Sequence, residues 1–296
     1  MSSSFSKFIQ EHKELLEKEL KRYIECLSAP DVLKEAMDYS LQAGGKRIRP
    51  LLVFSVIEAL GKDTTIGLPA ACSIEMIHTY SLIHDDLPGM DNDHLRRGKP
   101  TNHIVFGEAN AILAGDALLT LSFRILAEMK RLDISPEQKL AIISEIAQCA
   151  GAEGMIGGQT VDMASEGKTI SLKDLEYIHE HKTGKLLSAS ILTGAILAGA
   201  NEVQLEALRK FSKHLGLAFQ IRDDILDVEG NEDLIGKPVG SDVDNNKSTY
   251  PSILTLAGAK AKLTEEIDHA INALKSIHFE NSYLMDITKL VAERNK

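Results

Sequence analysis

Two clusters of aspartate are the residues whose type and spacing most directly suggest chemistry. The first follows an apolar run and places Asp85, Asp86, Asp91 and Asp93 within nine positions. Carboxylates this close repel one another unless a cation is present, and oxygen ligands suit Mg²⁺, which usually takes one or two protein carboxylates plus substrate phosphates. We expect Asp85 to end a helix and Pro88 to turn the chain, so that Asp91 returns beside Asp85. Taken alone, the segment is equally compatible with a solvated acidic loop.

A second cluster, formed by Asp223, Asp224 and Asp227, follows the apolar run 215–221. The spacing of four residues places Asp223 and Asp227 on one face of a helix, where like charges are destabilising by themselves. One such pair is more often a surface feature. Two clusters, each at the end of an apolar run and far apart in the chain, favour a functional site in which they face each other and hold several Mg²⁺ ions.

Basic residues that could complete an anion site also occur in short runs. Arg96 and Arg97 lie just beyond the first cluster, and as neighbouring helical side chains they would diverge by about 100°, which suits two different anions. The run 44–50 (GGKRIRP) is a basic turn without the spacing of a nucleotide P-loop, and alone it is more simply a basic helix start. The lysines of 182–185 and 236–238 are weaker candidates, because exposed lysines beside glycines are common.

Composition excludes several classes of protein. The 296 residues carry a formal charge of −10, so the chain has no global attraction to nucleic acid or anionic lipid. Its three cysteines are widely separated and form no C-x-x-C pair, which argues against a disulfide framework or a zinc site and suits a reducing cytosol. The N-terminus is charged and no uncharged apolar stretch reaches about 18 residues, so we expect a cytoplasmic protein without stable membrane insertion.

The elements that must position these residues are helices. Apolar residues recur at helical spacings through most of the chain, and 188–200 has the small and apolar composition of a helix buried on most sides. A polar run, 230–248, predicts one long loop. The simplest architecture is a single all-α domain over 1–296 with roughly ten or more helices. Two amphipathic faces are predicted, one from Phe5, Phe8, Ile9, Leu15, Leu16 and Leu20 and one from Leu140, Ile143, Ile146, Ala147 and Ala150.

Taken together, the two aspartate motifs, GGKRIRP, LRRG, the GGQ-x-x-D of 157–162 and the KTG of 182–184 resemble the trans-isoprenyl diphosphate synthase family. The match runs from about Leu41 to 294–296, and the four residues inside the first motif are typical of the bacterial farnesyl-forming class. The resemblance implies a helical bundle of the isoprenoid synthase type around a central substrate cavity, usually a homodimer. It also implies head-to-tail condensation of isopentenyl diphosphate with dimethylallyl and then geranyl diphosphate to a C15 product.

The resemblance further implies roles for individual residues, with three Mg²⁺ ions per site. Six aspartates are expected either to ligate Mg²⁺ or to lie beside its ligands: Asp85, Asp86, Asp91, Asp223, Asp224 and Asp227. The allylic diphosphate is bound at Arg96, Lys182 and Lys237, and Thr183 and Gln220 lie beside the allylic carbon; Lys182, Thr183 and Gln220 are the expected catalytic residues. Isopentenyl diphosphate is bound at Lys46, Arg49, His78 and Arg97. Gln159 and Asp162 border the site. Without the resemblance, His78 is more simply a hydrogen-bonded core histidine.

These residues suit the chemistry of the implied reaction. Breaking the allylic C–O bond leaves pyrophosphate and a delocalised carbocation, so Mg²⁺, Lys and Arg stabilise the leaving group and no protein nucleophile is required. Water would quench the carbocation, so the hydrocarbon must lie in an apolar tunnel that is closed during turnover. The loop 230–248 is the expected lid.

Tyr80 is the candidate that sets product length. It lies five residues before Asp85, which at about 1.5 Å rise per residue is roughly 7–8 Å deeper along the pocket. Ser81 is small and leaves space, so the Tyr80 ring is expected to stop the growing chain at C15. The alternative is an ordinary core tyrosine with a hydrogen-bonded hydroxyl.

Four other functions remain as alternatives. A geranylgeranyl diphosphate synthase belongs to the same family. His84 and Asp85 also spell the HD pair of metal-dependent phosphohydrolases, which leaves the second cluster without a role. Class I terpene cyclases share the fold and first motif, but carry a second motif of an Asn/Ser/Glu type that is absent here. A non-catalytic partner subunit is the non-enzyme alternative, and the two intact motifs argue against it.

Overall fold

The computed structural model describes residues 3–129, 134–229, 248–279 and 282–294. These residues are mainly helical, and their only strands form one short antiparallel hairpin. The all-α prediction is therefore confirmed.

The chain divides into two compact units. The N-terminal unit spans Ser2–Phe54 and Thr64–Ile143, and the C-terminal unit spans Met1, Ser55–Asp63 and Ser144–Lys296. The elements up to residue 150 are, in chain order, α1 (Ser3–Glu25), α2 (Asp31–Leu41), α3 (Ile48–Ala59), a 3₁₀ turn (Thr64–Gly67), α4 (Leu68–Asp85), β1 (Leu95–Arg96), β2 (Lys99–Pro100), α5 (Asn102–Phe106), α6 (Glu108–Ala127) and α7 (Pro136–Ala150). Two of the boundaries between the units fall within α3 and α7. The C-terminal unit continues with α8 (Met155–Ser165), α9 (Leu172–His179), a π-helical turn (Glu180–Gly184), α10 (Lys185–Ala198), α11 (Glu202–Glu229), α12 (Tyr250–Lys275) and α13 (Tyr283–Glu293).

Helix α4 is the centre of the N-terminal unit. It is apolar on almost all sides, and most of its residues are buried. It packs along α6, while α1 lies against α2 and α4. In α1 the predicted face is buried at Phe5, Phe8, Leu16 and Leu20, and Ile9 and Leu15 form its partly exposed edge. The helix that carries the first aspartate motif is thus fixed by a continuous apolar core.

Helix α10 plays the same part in the C-terminal unit, as its composition predicts. Nearly all of its residues are buried, and α11 packs along it and along α12. The helix stops at Gly199, which is left-handed (φ 72°), with the Ala200 amide donating to the Ala195 carbonyl at 2.9 Å. This is a Schellman-type end that glycine adopts without steric cost.

Helix α7 exists as predicted, but its predicted buried face is partly wrong. Ile142, Ile146, Cys149 and Ala150 are buried, whereas Leu140 is 67% exposed. The predicted face and the observed buried face of α7 both contain Ile146 and Ala150. Helical periodicity alone therefore cannot tell which of the two faces is buried.

The three cysteines are free, in agreement with the prediction of no disulfide. Cys72 and Cys149 are buried, and Cys26 is exposed. Among the described helices, α6 has the length and apolar composition to cross a bilayer, a test that a buried core helix also passes.

Candidate active site

The first aspartate motif lies where α4 ends. Asp85 is the last helical residue and Asp86 caps it. The loop then folds back, and the Asp91 amide donates to the Asp85 carbonyl at 2.8 Å. The predicted return of Asp91 to Asp85 is confirmed, and it brings two carboxylates of the motif to one end of the helix.

The buried Asp86 and the partly buried Arg96 form an ion pair. Asp86 is 3% exposed, and its two carboxylate oxygens accept from Arg96 Nε at 2.8 and 2.9 Å and from Nη2 at 2.5 Å. Burial alone would lower the pKa of Arg96, but its hydrogen bonds to Asp86 raise the pKa above the ordinary value. Asp86 therefore orients Arg96, while Asp85 and Asp91 are the more accessible carboxylates.

Arg96 and Arg97 lie in a β-hairpin and not on a helix, which corrects the predicted geometry. Leu95 pairs with Pro100 and Arg96 with Lys99. Arg97 (φ 54°) and Gly98 (φ 75°) form the turn, and positive φ at both positions is the signature of a type I′ hairpin. Their side chains have different partners: Arg96 donates to Asp86, and Arg97 donates to the Gly44 carbonyl.

Arg97 contacts the basic turn 44–50. Its guanidinium donates to the Gly44 carbonyl and lies against Gly45, where an added Cβ would be 2.7 Å from Nη1. Gly44 (φ 87°) and Gly45 (φ 128°) also adopt backbone conformations that favour glycine. The GG of the motif therefore gives Arg97 space to approach the turn that carries Lys46 and Arg49.

His78 lies among these arginines. Burial lowers its pKa well below the ordinary value, and the charges of Arg49, Arg97, Arg96 and Arg47 lower it further. The ring is therefore neutral near pH 7. A cluster of guanidinium groups around a neutral imidazole is suited to an anionic ligand, which would offset their mutual repulsion. The structure thus brings together Arg49, His78 and Arg97, which were predicted to bind one diphosphate.

Tyr80 is buried in α4, at 5% exposure. Its hydroxyl is buried and has no hydrogen-bond partner within the part of the chain that the structure describes. Burial of the Tyr80 hydroxyl is the main cause that raises its pKa to about 12, and the charge of Asp85 is the smaller one. The alternative of a hydrogen-bonded core tyrosine does not match this geometry. Ser81 turns its hydroxyl back to the His78 carbonyl at 2.9 Å.

In the C-terminal unit, Lys182 and Thr183 lie on a π-helical turn that the sequence did not predict. Two glycines allow neighbouring helices to pack against this turn. A Cβ on Gly158 of α8 would be 2.2 Å from the Lys182 amide nitrogen, and a Cβ on Gly216 of α11 would be 3.0 Å from the Gly184 Cα. Single π-helical turns inside helices are frequent at functional sites.

Hydrogen bonds connect this turn to both of its neighbours. Lys182 Nζ donates to Asp162 at 2.6 Å. Thr183 Oγ1 donates to Gln220 Oε1 at 2.8 Å, and Gln220 Nε2 donates to Asp223 at 3.2 Å. The structure therefore joins the GGQ-x-x-D motif, the KTG motif and the second aspartate motif, which the sequence presents as separate pieces.

Arg294 is a neighbour of the second motif that residue spacing did not reveal. Its Nη2 lies 2.5 Å from Asp223 Oδ1 and donates to the Phe219 carbonyl at 2.7 Å, and its guanidinium stacks 3.9 Å above the Phe219 ring. The sequence resemblance was expected to run as far as 294–296, which was the only sequence signal for it.

Asp224 faces the protein interior. It is 5% exposed, accepts from the Tyr250 amide at 2.8 Å and lies 3.4 Å from His179 Nε2. This bond ties α11 to the first residue of α12. Asp223 and Asp227 are more exposed, on the other side of α11, as their spacing predicts.

A cavity of about 230 Å³ opens beside this network in the C-terminal unit. Its walls combine the ammonium of Lys182 with the carboxylates of Asp162, Asp223 and Asp224, and with the Gln220 amide. Such a lining suits a polar ligand that carries cations with it.

The donors fit Mg²⁺. Among the described residues no three His, Cys, Asp or Glu side chains are grouped as a closed metal site. Mg²⁺ does not require one, because it keeps several waters and takes one or two protein carboxylates together with substrate phosphates. Asp85 and Asp91 carry such oxygens in the N-terminal unit, and Asp223 carries them in the C-terminal unit. Lys237, the loop 230–247, Asn295 and Lys296 lie outside the described residues.

Comparison with known proteins gives a consistent result. Residues 30–282 match the family model described as polyprenyl synthetase. A farnesyl diphosphate synthase of Geobacillus stearothermophilus is 58% identical over 99% of this chain and 98% of its own, and one of Bacillus subtilis is 52% identical over 100% of both. A crystal structure of a putative farnesyl-diphosphate synthase from Marinomonas sp. MED121 superposes with a TM-score of 0.84 at 37% identity, over 98% of this chain and 99% of the other.

Proposed function

Because the chain belongs to the polyprenyl synthetase family, we propose that it is a farnesyl diphosphate synthase. It condenses isopentenyl diphosphate with dimethylallyl diphosphate and then with geranyl diphosphate. The observation that carries the proposal is on α4, where Asp85 and Asp91 meet at the helix end and the buried ring of Tyr80 lies on the same helix. The relatives at 58% and 52% identity support this choice, since both are farnesyl diphosphate synthases, whereas a geranylgeranyl diphosphate synthase that also matches over 97% of the chain is 42% identical.

Asp85, Asp91 and Asp223 would hold Mg²⁺, with Asp86, Asp224 and Asp227 as further ligands or as residues that orient the site. Bound Mg²⁺ supplies Lewis-acid stabilisation of the pyrophosphate leaving group. Arg96, held by Asp86, and Lys182, held by Asp162, bind the allylic diphosphate together with Lys237. Preorganised charges of this kind need little rearrangement when the C–O bond breaks.

Thr183 and Gln220 stabilise the positive charge that develops on the allylic carbon. Their hydrogen bond fixes both side chains, and the bond from Gln220 to Asp223 fixes them relative to the second motif. Lys46, Arg49, His78 and Arg97 bind isopentenyl diphosphate, and the neutral ring of His78 is a donor among the cationic groups. The aryl ring of Tyr80 limits the product to C15.

The proposal includes a single polyprenyl synthase domain over 1–296, three Mg²⁺ ions per site, a cytoplasmic location and a homodimer. Exposed apolar side chains on α5 and α6 support the homodimer, namely Ile104, Val105, Ile112 and Leu113.

Release of pyrophosphate tests the reaction class. We expect purified protein to release it only when an allylic diphosphate, isopentenyl diphosphate and Mg²⁺ are all present, and to stop in EDTA. Release from the allylic substrate alone indicates a cyclase, and phosphate release without a new C–C bond indicates a phosphohydrolase. A folded protein with no activity indicates a partner subunit. Asp31→Asn, at a carboxylate whose side chain is 88% exposed, is a control that keeps full activity.

A further inference from the structure

The turn 44–50 contains three basic residues, and the middle one is unlike its neighbours. The side chain of Arg47 is 1% exposed, although it stands between Lys46 and Arg49 in a segment whose charges the sequence presents as equivalent. A buried guanidinium has a high desolvation cost, which must be offset by partners in the protein.

Those partners enclose the guanidinium of Arg47. Its Nη1 donates to Glu75 Oε1 at 2.6 Å, its Nη2 donates to the Leu41 carbonyl at 2.6 Å, and its Nε lies 3.7 Å from Glu17. The Glu75 side chain is itself only 4% exposed. Two donors of Arg47 are therefore hydrogen-bonded to α4 and α2, while its Nε faces Glu17 of α1 at ion-pair distance without a hydrogen bond among the described residues.

The backbone of Arg47 marks the point at which the turn becomes a helix. Arg47 has φ 54°, an uncommon conformation for a residue with a side chain, and its carbonyl accepts from the Leu51 amide at 3.0 Å as the first bond of α3. An ion pair that holds Arg47 also fixes this conformation. The direction in which Lys46 leaves the turn and the direction in which Arg49 leaves the start of α3 depend on it.

Glu75 lies on α4, three residues before His78, so both residues are on one side of that helix. The pair thus ties the turn that carries Lys46 and Arg49 to the helix that carries His78. Arg97 also contacts this turn, through the Gly44 carbonyl.

We propose that the buried Arg47–Glu75 pair is a positioning device for the isopentenyl diphosphate site. Arg47 does not contact the substrate; it sets the placement of Lys46 and Arg49 relative to His78. The identity of the anion rests on the proposed function, whereas the tether itself rests on the contacts above.

The test compares Glu75→Gln, which keeps the size of the side chain and removes its charge, with Arg47→Lys and with the double variant Arg47→Gln/Glu75→Gln. We expect Glu75→Gln to raise the KM for isopentenyl diphosphate by about tenfold or more, because a misplacement of about 1 Å can cost up to about 100-fold. The KM for dimethylallyl diphosphate should change less than about twofold. Arg47→Lys, which keeps the charge, should show the same pattern with a smaller rise.

The double variant separates positioning from stability. It leaves no unpaired buried charge, so its thermal midpoint should return toward that of the wild type. Its KM for isopentenyl diphosphate should stay raised, because the tether is still absent. Equal changes of both KM values in Glu75→Gln and Arg47→Lys, or a double variant with the wild-type KM, would overturn the inference.

Calorimetric binding of isopentenyl diphosphate, with no allylic substrate present, distinguishes this inference from the proposed function. If the wild type makes no prenyl product but still binds isopentenyl diphosphate more tightly than Glu75→Gln does, the proposed function is refuted. The positioning role of the Arg47–Glu75 pair is then still supported. If the wild type makes the product and both proteins bind isopentenyl diphosphate with equal affinity, the proposed function is supported. The positioning role of the Arg47–Glu75 pair is then refuted.

Discussion

The role of a charged residue in this molecule depends on its burial and partners as well as on its type. Asp86 and Asp85 are adjacent, yet Asp86 is buried against Arg96 while Asp85 meets Asp91 at the helix end. The sequence was sufficient to find the aspartates by their spacing. It could not assign their partners, because those lie on elements that only the fold brings close.

Removing a carboxylate from either motif should abolish most of the activity. We expect Asp85→Ala or Asp223→Ala to lower kcat by on the order of 10²–10³, the scale of losing one preorganised electrostatic contact. Steady-state kinetics at saturating substrate, with Asp31→Asn as the control, measures this. Activity within twofold of the wild type in either variant would show that the residue holds no metal.

Tyr80 should limit the length of the product. Tyr80→Ala opens space below the first motif, and we expect C20 and longer products in place of C15. Tyr80→Phe is the matched control: it keeps the ring and removes a hydroxyl that has no partner among the described residues, so C15 should persist. Chromatography of the dephosphorylated products decides this, and an unchanged profile in Tyr80→Ala would contradict the assignment.

The adjacent arginines should affect different substrates. Arg97→Ala should chiefly raise the KM for isopentenyl diphosphate, and Arg96→Ala should chiefly impair the allylic substrate. Arg96→Ala should also lower the thermal midpoint, because it leaves Asp86 buried without its partner. KM values for both substrates and melting curves of both variants are the measurements. Indistinguishable kinetic profiles would refute separate roles.

At the scale of elements, apolar runs and helix ends were predictable and local irregularities were not. The end of α4 at Asp85 and the buried α10 follow from composition and spacing. The π-helical turn at Lys182 has no such signal, because the glycines that pack against it, Gly158 and Gly216, lie on other helices. The hairpin at Arg96 was missed because its strands have only two residues each.

The π-helical turn should not tolerate a side chain on Gly158. A Cβ there would be 2.2 Å from a backbone nitrogen, so we expect Gly158→Ala to lower the free energy of unfolding by about 1–3 kcal/mol and to reduce activity by displacing Lys182. Gly184→Ala is the control for stability, since its nearest contact would be an ordinary 3.4 Å. Urea unfolding of both variants provides the comparison, and equal stabilities would contradict this packing account.

At the scale of the whole molecule, the net charge of −10 contrasts with the local arginines around His78. A lowered pKa means that the folded protein keeps His78 neutral while the unfolded chain protonates it near pH 6.5. Its contribution to stability is therefore complete above that pH and is lost as the pH falls below it.

Replacing His78 with Gln should flatten this part of the pH profile. Between pH 7.5 and 5.5 the wild type should lose more stability than His78→Gln, with an added slope of at most about 1.4 kcal/mol per pH unit. Burial also lowers the pKa of His12, which both proteins retain and which therefore cancels in the comparison. Parallel unfolding free energies over this range would contradict a neutral His78 in the folded protein.

Whether the protein is a farnesyl diphosphate synthase is decided by the product that the wild type makes from dimethylallyl diphosphate and isopentenyl diphosphate in the presence of Mg²⁺. After dephosphorylation, mass spectrometry should show a C15 alcohol as the main end product, with a transient C10 alcohol from the first condensation. A main product of C20, an end product of C10, or no new carbon–carbon bond would contradict the account.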